Sequence, residues 1–233
     1  MANIIDAFRN QFDRKAIVMG IGGSRPSDNL TASWFGRVNL GAMGESWPLQ
    51  DGQPMLALAQ INLTELPFHP PRLDDLDFIT VFVDPGTLPS LHEKNGSHWV
   101  LRTYQKIADL VPLERPNAPS SIKPFQMRPR VIAHDFPCLD DVPLAFKEHL
   151  WDAYQDHQFE NVGGFKLGGW PSLIQSELTW GLFDQHPAKP QYVFQIDSTE
   201  KGNWMWGDNG VGYFGRGTAD GKGDDWVLEW QCF

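Results

Sequence analysis

The 233-residue sequence predicts an α+β fold of mainly antiparallel β-sheet, built from two tandem pseudo-symmetric β units. Short apolar runs bounded by Pro, Gly and Asp predict strands. One order of motifs occurs twice, and a Pro-rich stretch with a helix separates the two copies. We therefore expect one domain over residues 1–233, with units at about 31–111 and 160–233 and a connector at 112–159. Two small domains hinged at the connector are the alternative.

The first elements follow from the spacing of apolar residues. Ile4, Ile5, Phe8 and Phe12 recur at helical spacing and predict a short amphipathic helix that packs through one face. The apolar run 16–19 predicts a strand that ends at a Gly-rich turn. Further buried strands are predicted at residues 56–61, 78–83 and 99–104.

The region between the two copies contains many prolines. From residue 111 to residue 129 they predict an extended connector without an element of its own, because proline cannot donate a backbone hydrogen bond. Asp141 is then expected to cap a helix that runs to about His157, with Pro143 in its first turn. The predicted apolar face of this helix comprises Leu144, Phe146, Leu150, Trp151 and Tyr154.

The repeat is carried by four anchor residues. A Gly-rich loop, a tryptophan, a strand with Gln-Ile and a strand that begins Trp-Val-Leu occur twice in the same order. Gly36, Trp47, Gln60 and Trp99 recur after 127 to 135 residues as Gly168, Trp180, Gln195 and Trp226. Since each unit offers about three strands with one face to bury, we expect the two units to bury each other.

Several motifs near these anchors point to a known family. They are Gln60-Ile61-Asn62-Leu63 with Leu66-Pro67, Gly168-Gly169-Trp170-Pro171 with Ile174-Gln175, Gln195-Ile196-Asp197-Ser198, Trp206-Gly207-Asp208-Asn209-Gly210 with Tyr213-Phe214, and Gln231-Cys232. At these residues the chain resembles the bacterial YwqG-like family, a domain of unknown function. The resemblance covers residues 16–233 and implies an α+β fold with a duplicated core, but no reaction. Where the family has its first Gly-Gly-x-Pro, this chain has Gly36-Arg37-Val38-Asn39, so a pocket shaped by that loop would differ. Relatives resemble proteins that are found beside secreted polymorphic toxins, and the resemblance therefore implies an immunity role.

Charge narrows the classes of partner. Lys and Arg number 19 against 29 Asp and Glu, a formal charge of −10. A negative field repels phosphate backbones and anionic lipids, so we expect no nucleic acid and no membrane as partner. A basic toxin or effector would suit this field. The N-terminus lacks the apolar segment of a signal peptide, and Cys138 and Cys232 are isolated, which predicts a cytosolic protein with reduced thiols.

No motif predicts a catalytic, metal or cofactor site. The turn Gly20-Ile21-Gly22-Gly23 is followed by Ser24-Arg25-Pro26 and not by the Lys and helix of a phosphate-binding loop. No nucleophile elbow and no zinc-binding helix motif occur. A set of aspartates among glycines could offer oxygens to Ca²⁺, although turn chemistry also explains it. Its members are Asp197, Asp208, Asp220, Asp224 and Asp225.

Two segments are candidates for contact with a protein partner. Glu148, Asp152 and Asp156 stand four residues apart, with His149 and His157 beside them, and are expected to share one helix face. Such a face is either simply solvated or a docking surface for a basic partner.

The second segment is Trp204-Met205-Trp206-Gly207-Asp208, in which the two Trp side chains point to the same side of a strand. These rings either complete the core or, with Asp208, form an exposed anchor. Together the two segments predict a non-catalytic binding protein, an immunity protein that neutralises a toxin by direct contact. The alternative is a small-ligand-binding protein or enzyme that uses the cleft between the two units.

Overall fold

The computed structural model describes residues 2–23, 25–91, 93–180, 188–217 and 226–233. Within them, ten strands form one sheet with antiparallel pairings and four short strands form two further pairs, which confirms the prediction of a mainly antiparallel β fold. The strands are β1 (Arg14–Ile21), β2 (Trp34–Phe35), β3 (Leu40–Ala42), β4 (Leu49–Gln50), β5 (Gln53–Pro54), β6 (Leu56–Asn62), β7 (Phe78–Val83), β8 (Trp99–Tyr104), β9 (Leu110–Pro112), β10 (Phe125–Asp135), β11 (Lys166–Gly168), β12 (Gln191–Asp197), β13 (Val211–Arg216) and β14 (Trp226–Gln231). The α-helices of the described residues are α1 (Ala2–Phe12) and α2 (Leu144–Gln155).

The large sheet has a long antiparallel pair at its centre. Its order is β14-β13-β12-β11-β1-β10-β2-β6-β7-β8, so β1 and β10 lie in the middle. β1 also pairs with β11, whereas β10 pairs with β2 through Phe125 and Gln126. The first strand of the chain therefore lies beside later strands, and β10 lies beside earlier ones.

The sheet curls until its two ends nearly meet, which gives it a barrel-like shape. The ring of Trp99 on β8 lies 6.2 Å from that of Phe214 on β13, although these strands are near opposite ends of the sheet. The rings of Trp204, Trp206 and Trp226 fill the interior beside them. Much of the aromatic content of the sequence therefore belongs to the core. Aromatic side chains bury more apolar area per residue than aliphatic ones do.

The long apolar runs of the sequence correspond to strands that are covered on both faces. Every residue of β6, β7 and β13 is buried. Around β6 and β7, the barrel core packs on one face and a smaller cluster with Val38 and Leu113 packs on the other. Burial on both faces explains why these strands lack the alternation of a half-exposed strand.

The two helices build a second core outside the barrel. Phe8 is fully buried, and its ring lies 4.8 Å from that of Phe12 and 5.6 Å from that of Phe146 on α2. The predicted amphipathic helix at the N-terminus is thereby confirmed. No helix within the described ranges is long and apolar enough to cross a membrane.

The predicted details of α2 were wrong in two respects. Asp141 does not cap the helix, because it ends a separate 3-10 turn and Pro143 occupies the N-cap position without a side-chain hydrogen bond. The apolar face was assigned too broadly, since Leu144 is 79% and Trp151 is 58% exposed. Only part of that face reaches the second core, through Leu150 and its neighbours.

The prediction that residues 111–129 form no element was also wrong. β9 pairs with β3, and β10 is the longest strand of the sheet and lies at its centre. Pro129 misled the prediction because proline normally excludes a central strand. Here β2 pairs with only the first two residues of β10, so Pro129, whose register partner is Met19 on β1, faces no β2 residue.

Candidate functional site

The structure places the carboxylates predicted on α2 in solvent. Glu148, Asp152 and Asp156 are all exposed, as are His149 and His157 beside them. The exposed ring of Trp151 lies on the same helix. The segment therefore forms a solvated acidic face, and its carboxylates do not line the two cavities that are described below.

The rings of Trp204 and Trp206 belong to the core, which corrects their assignment as partner contacts. They are 8% and 0% exposed and meet edge to face with centroids 5.1 Å apart. The strand predicted for them is not formed, because Trp204 makes only an isolated bridge with Thr199 and turns follow it. Both rings face the interior, where Trp206 packs against Gly212 of β13. Asp208 is exposed.

The aspartates considered for Ca²⁺ do not converge within the described residues. Asp197 accepts a hydrogen bond from Gly164 N at 2.6 Å, whereas Asp208 is exposed. Asp220, Asp224 and Asp225 lie outside the described residues. In the part of the chain that the structure describes, no group of three metal-ligating side chains is found.

A cavity of about 450 Å³ opens where the loop between β6 and β7 crosses the large sheet. His69 and Arg72 reach it from that loop, and Arg14 and Lys15 reach it from the start of β1. The end of β11 and the start of β12 form its remaining walls. We call this cavity the cationic cleft.

The charge of the cationic cleft is opposite to that of the whole chain. Arg14, Lys15 and Arg72 line it, and none of its described lining residues is acidic, although the chain carries −10. Burial lowers the pKa of Arg14 against the opposing effect of Asp135. Burial and the neighbouring Arg216 lower the pKa of Arg72. Each guanidinium would therefore be stabilised by an anion in the cleft.

Arg14 is held flat against an aromatic ring. Its guanidinium carbon lies 3.5 Å from the ring centroid of Trp170, and Nη1 donates weakly to Gly169 O at 3.4 Å. The indole is itself fixed, because Nε1 of Trp170 donates to Phe12 O at 2.7 Å. Stacking leaves the edge of a guanidinium available for hydrogen bonds, which suits the recognition of a carboxylate or phosphate.

Arg72 is held in a backbone conformation that is rare for a residue with a side chain. Its φ is 70°, in the left-handed region. Arg216 Nη1 donates to Arg72 O at 2.6 Å and also pairs with Asp75. Nη2 of Arg72 donates to Gln191 Oε1 on β12. The loop is thus tied across the cleft, and strain maintained by surrounding contacts is a feature that clusters at binding sites.

A buried ion pair supports the floor of the cleft. Asp135 and Lys166 have no side-chain exposure, and Nζ of Lys166 lies 3.1 Å from Asp135 Oδ2. The Asp135 carboxylate also accepts from Trp170 N at 2.7 Å and Val162 N at 2.9 Å. Burial lowers the pKa of Lys166, while Asp135 acts in the opposite direction. The pair fixes the turn on which Arg14 rests.

Two glycines allow this turn to approach the ion pair. Gly168 and Gly169 have φ of 68° and 67°. A Cβ at Gly169 would collide with the Asp135 carboxylate, and one at Gly168 would press on Pro70 of the crossing loop. Gln195 completes the support, because its Oε1 accepts from Ser172 N at 2.9 Å.

Sequence reasoning missed the cationic residues of this site. Arg14, Lys15, His69 and Arg72 belong to no motif of the sequence. The Gly168-Gly169-Trp170-Pro171 motif was the available signal, since it forms the wall on which Arg14 stacks. The sheet brings these distant segments together by placing β1 beside β11.

A comparison with protein families identifies the chain. Residues 36–232 match the model of a domain of unknown function, DUF1963. The chain belongs to this family. No curated protein matches it.

Proposed function

We propose that the protein binds a small anionic molecule in the cationic cleft. The observation that carries this proposal is the lining of the cavity by Arg14, Lys15 and Arg72, without a described carboxylate, in a chain of charge −10. A concentration of positive charge against the sign of the whole protein would attract an anion to this one place. The proposal develops the predicted alternative of a small-ligand-binding protein and includes no reaction.

The chemistry of the lining favours a carboxylate or phosphate. Two guanidinium groups present planar sets of donors that match such oxygens, and Lys15 adds a point charge. The fixed positions of Arg14 and Arg72 reduce the entropy lost when a ligand is bound.

Calorimetric titration with inorganic phosphate at low ionic strength tests the proposal. The wild-type protein is expected to bind one phosphate per chain, and Arg72→Gln is expected to weaken binding by about tenfold or more, because a charge-assisted hydrogen bond is lost. Arg130→Gln, at an exposed position of β10 outside the cleft, is the control of equal charge change. Absence of phosphate binding, or equal affinity in the Arg72 variant, contradicts the proposal.

A protein partner is the second candidate function, and the acidic face of α2 supports it. Glu148 and Asp152 are exposed on either side of Trp151, a ring 58% exposed on the surface. An immunity protein that blocks a basic toxin by direct contact would use such a face, with the ring as anchor. Co-expression with a toxin encoded beside this protein tests it: the wild type protects the cell, and Trp151→Ala does not. If the wild type neither binds nor protects, this candidate fails.

We further propose that the sheet consists of two tandem units. The family resemblance and the isolated cysteines support two related proposals, that the domain is YwqG-like and that the protein is cytosolic. Two observations support the tandem units: the strand order runs outward from β1 and β10 through four strands on each side, and Gln60 and Gln195 each bond a turn beyond the neighbouring strand. β1 of the N-terminal half pairs with β11, and β10 of the C-terminal half pairs with β2. We therefore expect that two chains divided between residues 113 and 124 fold only when they are mixed. Independent folding of either half would show two separate domains and would contradict the proposal of two units in one sheet.

A further inference from the structure

A second cavity of about 310 Å³ adjoins the cationic cleft. The two cavities share Arg14 and Tyr192 in their linings. Trp170, Leu178 and Trp180 line the second cavity and are absent from the lining of the first. We call this second cavity the aromatic pocket.

The Arg14–Trp170 stack forms the boundary between the two cavities. Arg14 lines both cavities, whereas Trp170 lines the aromatic pocket and not the cationic cleft. A molecule that reaches from one to the other must therefore pass this cation and the phenol of Tyr192. Aromatic walls favour a flat apolar group, because ring pairs are stabilised beyond the area that they bury.

Two acids, Asp141 and Glu177, line the aromatic pocket and are absent from the lining of the cationic cleft. Burial raises the pKa of Asp141 to about 6, and the charges of Glu177 and Asp140 act in the same direction, while Lys147 opposes them. These acids would repel a second anionic group. The two cavities thus differ in charge, because the cationic cleft is lined by three basic residues and no described acid, whereas the aromatic pocket is lined by two acids.

We infer that the ligand is a ring-bearing anion, whose carboxylate or phosphate lies in the cationic cleft and whose ring lies in the aromatic pocket. This inference rests on the proposed function and specifies the class of its ligand. It also predicts the orientation of the ligand, because the acids of the aromatic pocket accept a neutral or hydrogen-bond-donating ring substituent and disfavour an anionic one.

Parallel titrations with inorganic phosphate and phenyl phosphate test the inference. We expect phenyl phosphate to bind about tenfold or more tightly, because its ring leaves water for an apolar wall. Leu178→Ala, which removes part of that wall, should reduce the advantage of phenyl phosphate by about threefold and leave phosphate binding unchanged. Arg14→Gln should weaken the binding of both ligands.

The outcomes separate the two proposals. Equal affinity for phosphate and phenyl phosphate, or an advantage that Leu178→Ala leaves intact, overturns the inference while anion binding stands. Failure of both ligands to bind overturns the inference together with the proposed function. Thermal unfolding of each variant shows that the comparison is made on folded protein.

Discussion

Two turns of this protein are built on the same hydrogen bond but carry different side chains. The N-terminal turn, residues 36–39, follows β2, and Gln60 Oε1 accepts from Asn39 N at 2.7 Å. The C-terminal turn, residues 168–172, follows β11, and Gln195 Oε1 accepts from Ser172 N at 2.9 Å. Both glutamines are fully buried. The backbone of each turn is therefore fastened to the sheet in the same way.

The residues opposite the two glutamines differ in chemistry. Trp34 is the register partner of Gln60, and Lys166 is the register partner of Gln195. At the N-terminal turn, Arg37 lies 4.7 Å from the ring centroid of Trp34 and donates to Asn39 Oδ1 of the same turn. At the C-terminal turn, Lys166 forms a buried ion pair with Asp135 and not a cation–ring contact.

This difference locates the candidate site. The arginine of the N-terminal turn donates through Nε to Asn39 of the same turn. Arg14, in contrast, rests on the C-terminal turn from another strand and lines the cationic cleft. A common backbone support can therefore hold either a closed structural turn or a wall of a binding cavity. The side chains, and not the hydrogen-bonded frame, determine which one is formed.

Removal of Asp135 should have the largest effect on stability. Asp135→Ala leaves the Lys166 amine without its carboxylate partner in a site without exposure, and we expect it to cost about 3–5 kcal/mol of unfolding free energy. Addition of Lys166→Met should recover part of this loss, because no buried charge remains. Urea unfolding of the single and double variants measures both values. A loss for Asp135→Ala no larger than that for Arg37→Ala would contradict the contrast between the turns.

The two glutamines should show similar, intermediate effects. Gln60→Leu and Gln195→Leu each leave a turn N–H without its acceptor, and we expect each to cost about 1–3 kcal/mol. The same unfolding experiment measures them. Similar losses support the shared frame, while a loss at only one position would show that the two turns are held by different contacts.

The fold could be predicted from sequence wherever local pattern decides it. The spacing of Phe8 and Phe12 was sufficient for α1, and continuous apolar runs were sufficient for β6 and β7. β10 could not be predicted, because tolerance of Pro129 depends on the shortness of β2 rather than on the residues around it. The rings of Trp204 and Trp206 were expected on one side of a strand, but the segment forms a bridge and turns instead. Both rings are internal because the sheet closes around them.

The candidate site was beyond sequence reasoning for a related reason. Its cations come from the start of β1 and from the loop before β7. These segments meet because β1 crosses to β11 and because Gln191 on β12 and Arg216 on β13 hold the loop. Single arginines and lysines that are not part of a motif do not indicate a binding site in a sequence. The Gly168-Gly169 pair did carry one, since both residues require positive φ at a crowded turn.

The pH dependence of stability should show the smallest effect. A carboxyl whose folded pKa is raised to about 6 from 3.8 binds more protons when folded, so its contribution to stability increases as pH falls from about 6 towards 4. Asp141→Asn should therefore raise the melting temperature slightly at pH 8 and leave it unchanged near pH 4. Melting curves of wild type and variant across this range measure the difference. A variant that is less stable at pH 8 would contradict the assignment.

The central claim is that the C-terminal turn carries an anion site and the N-terminal turn does not. The most direct measurement is a phosphate titration of Arg14→Gln beside Arg37→Gln, because each variant removes one arginine stacked on a tryptophan. We predict that Arg14→Gln weakens binding by about tenfold or more and that Arg37→Gln stays within about twofold of wild type. Equal weakening in both variants, or wild-type affinity in Arg14→Gln, would contradict the account.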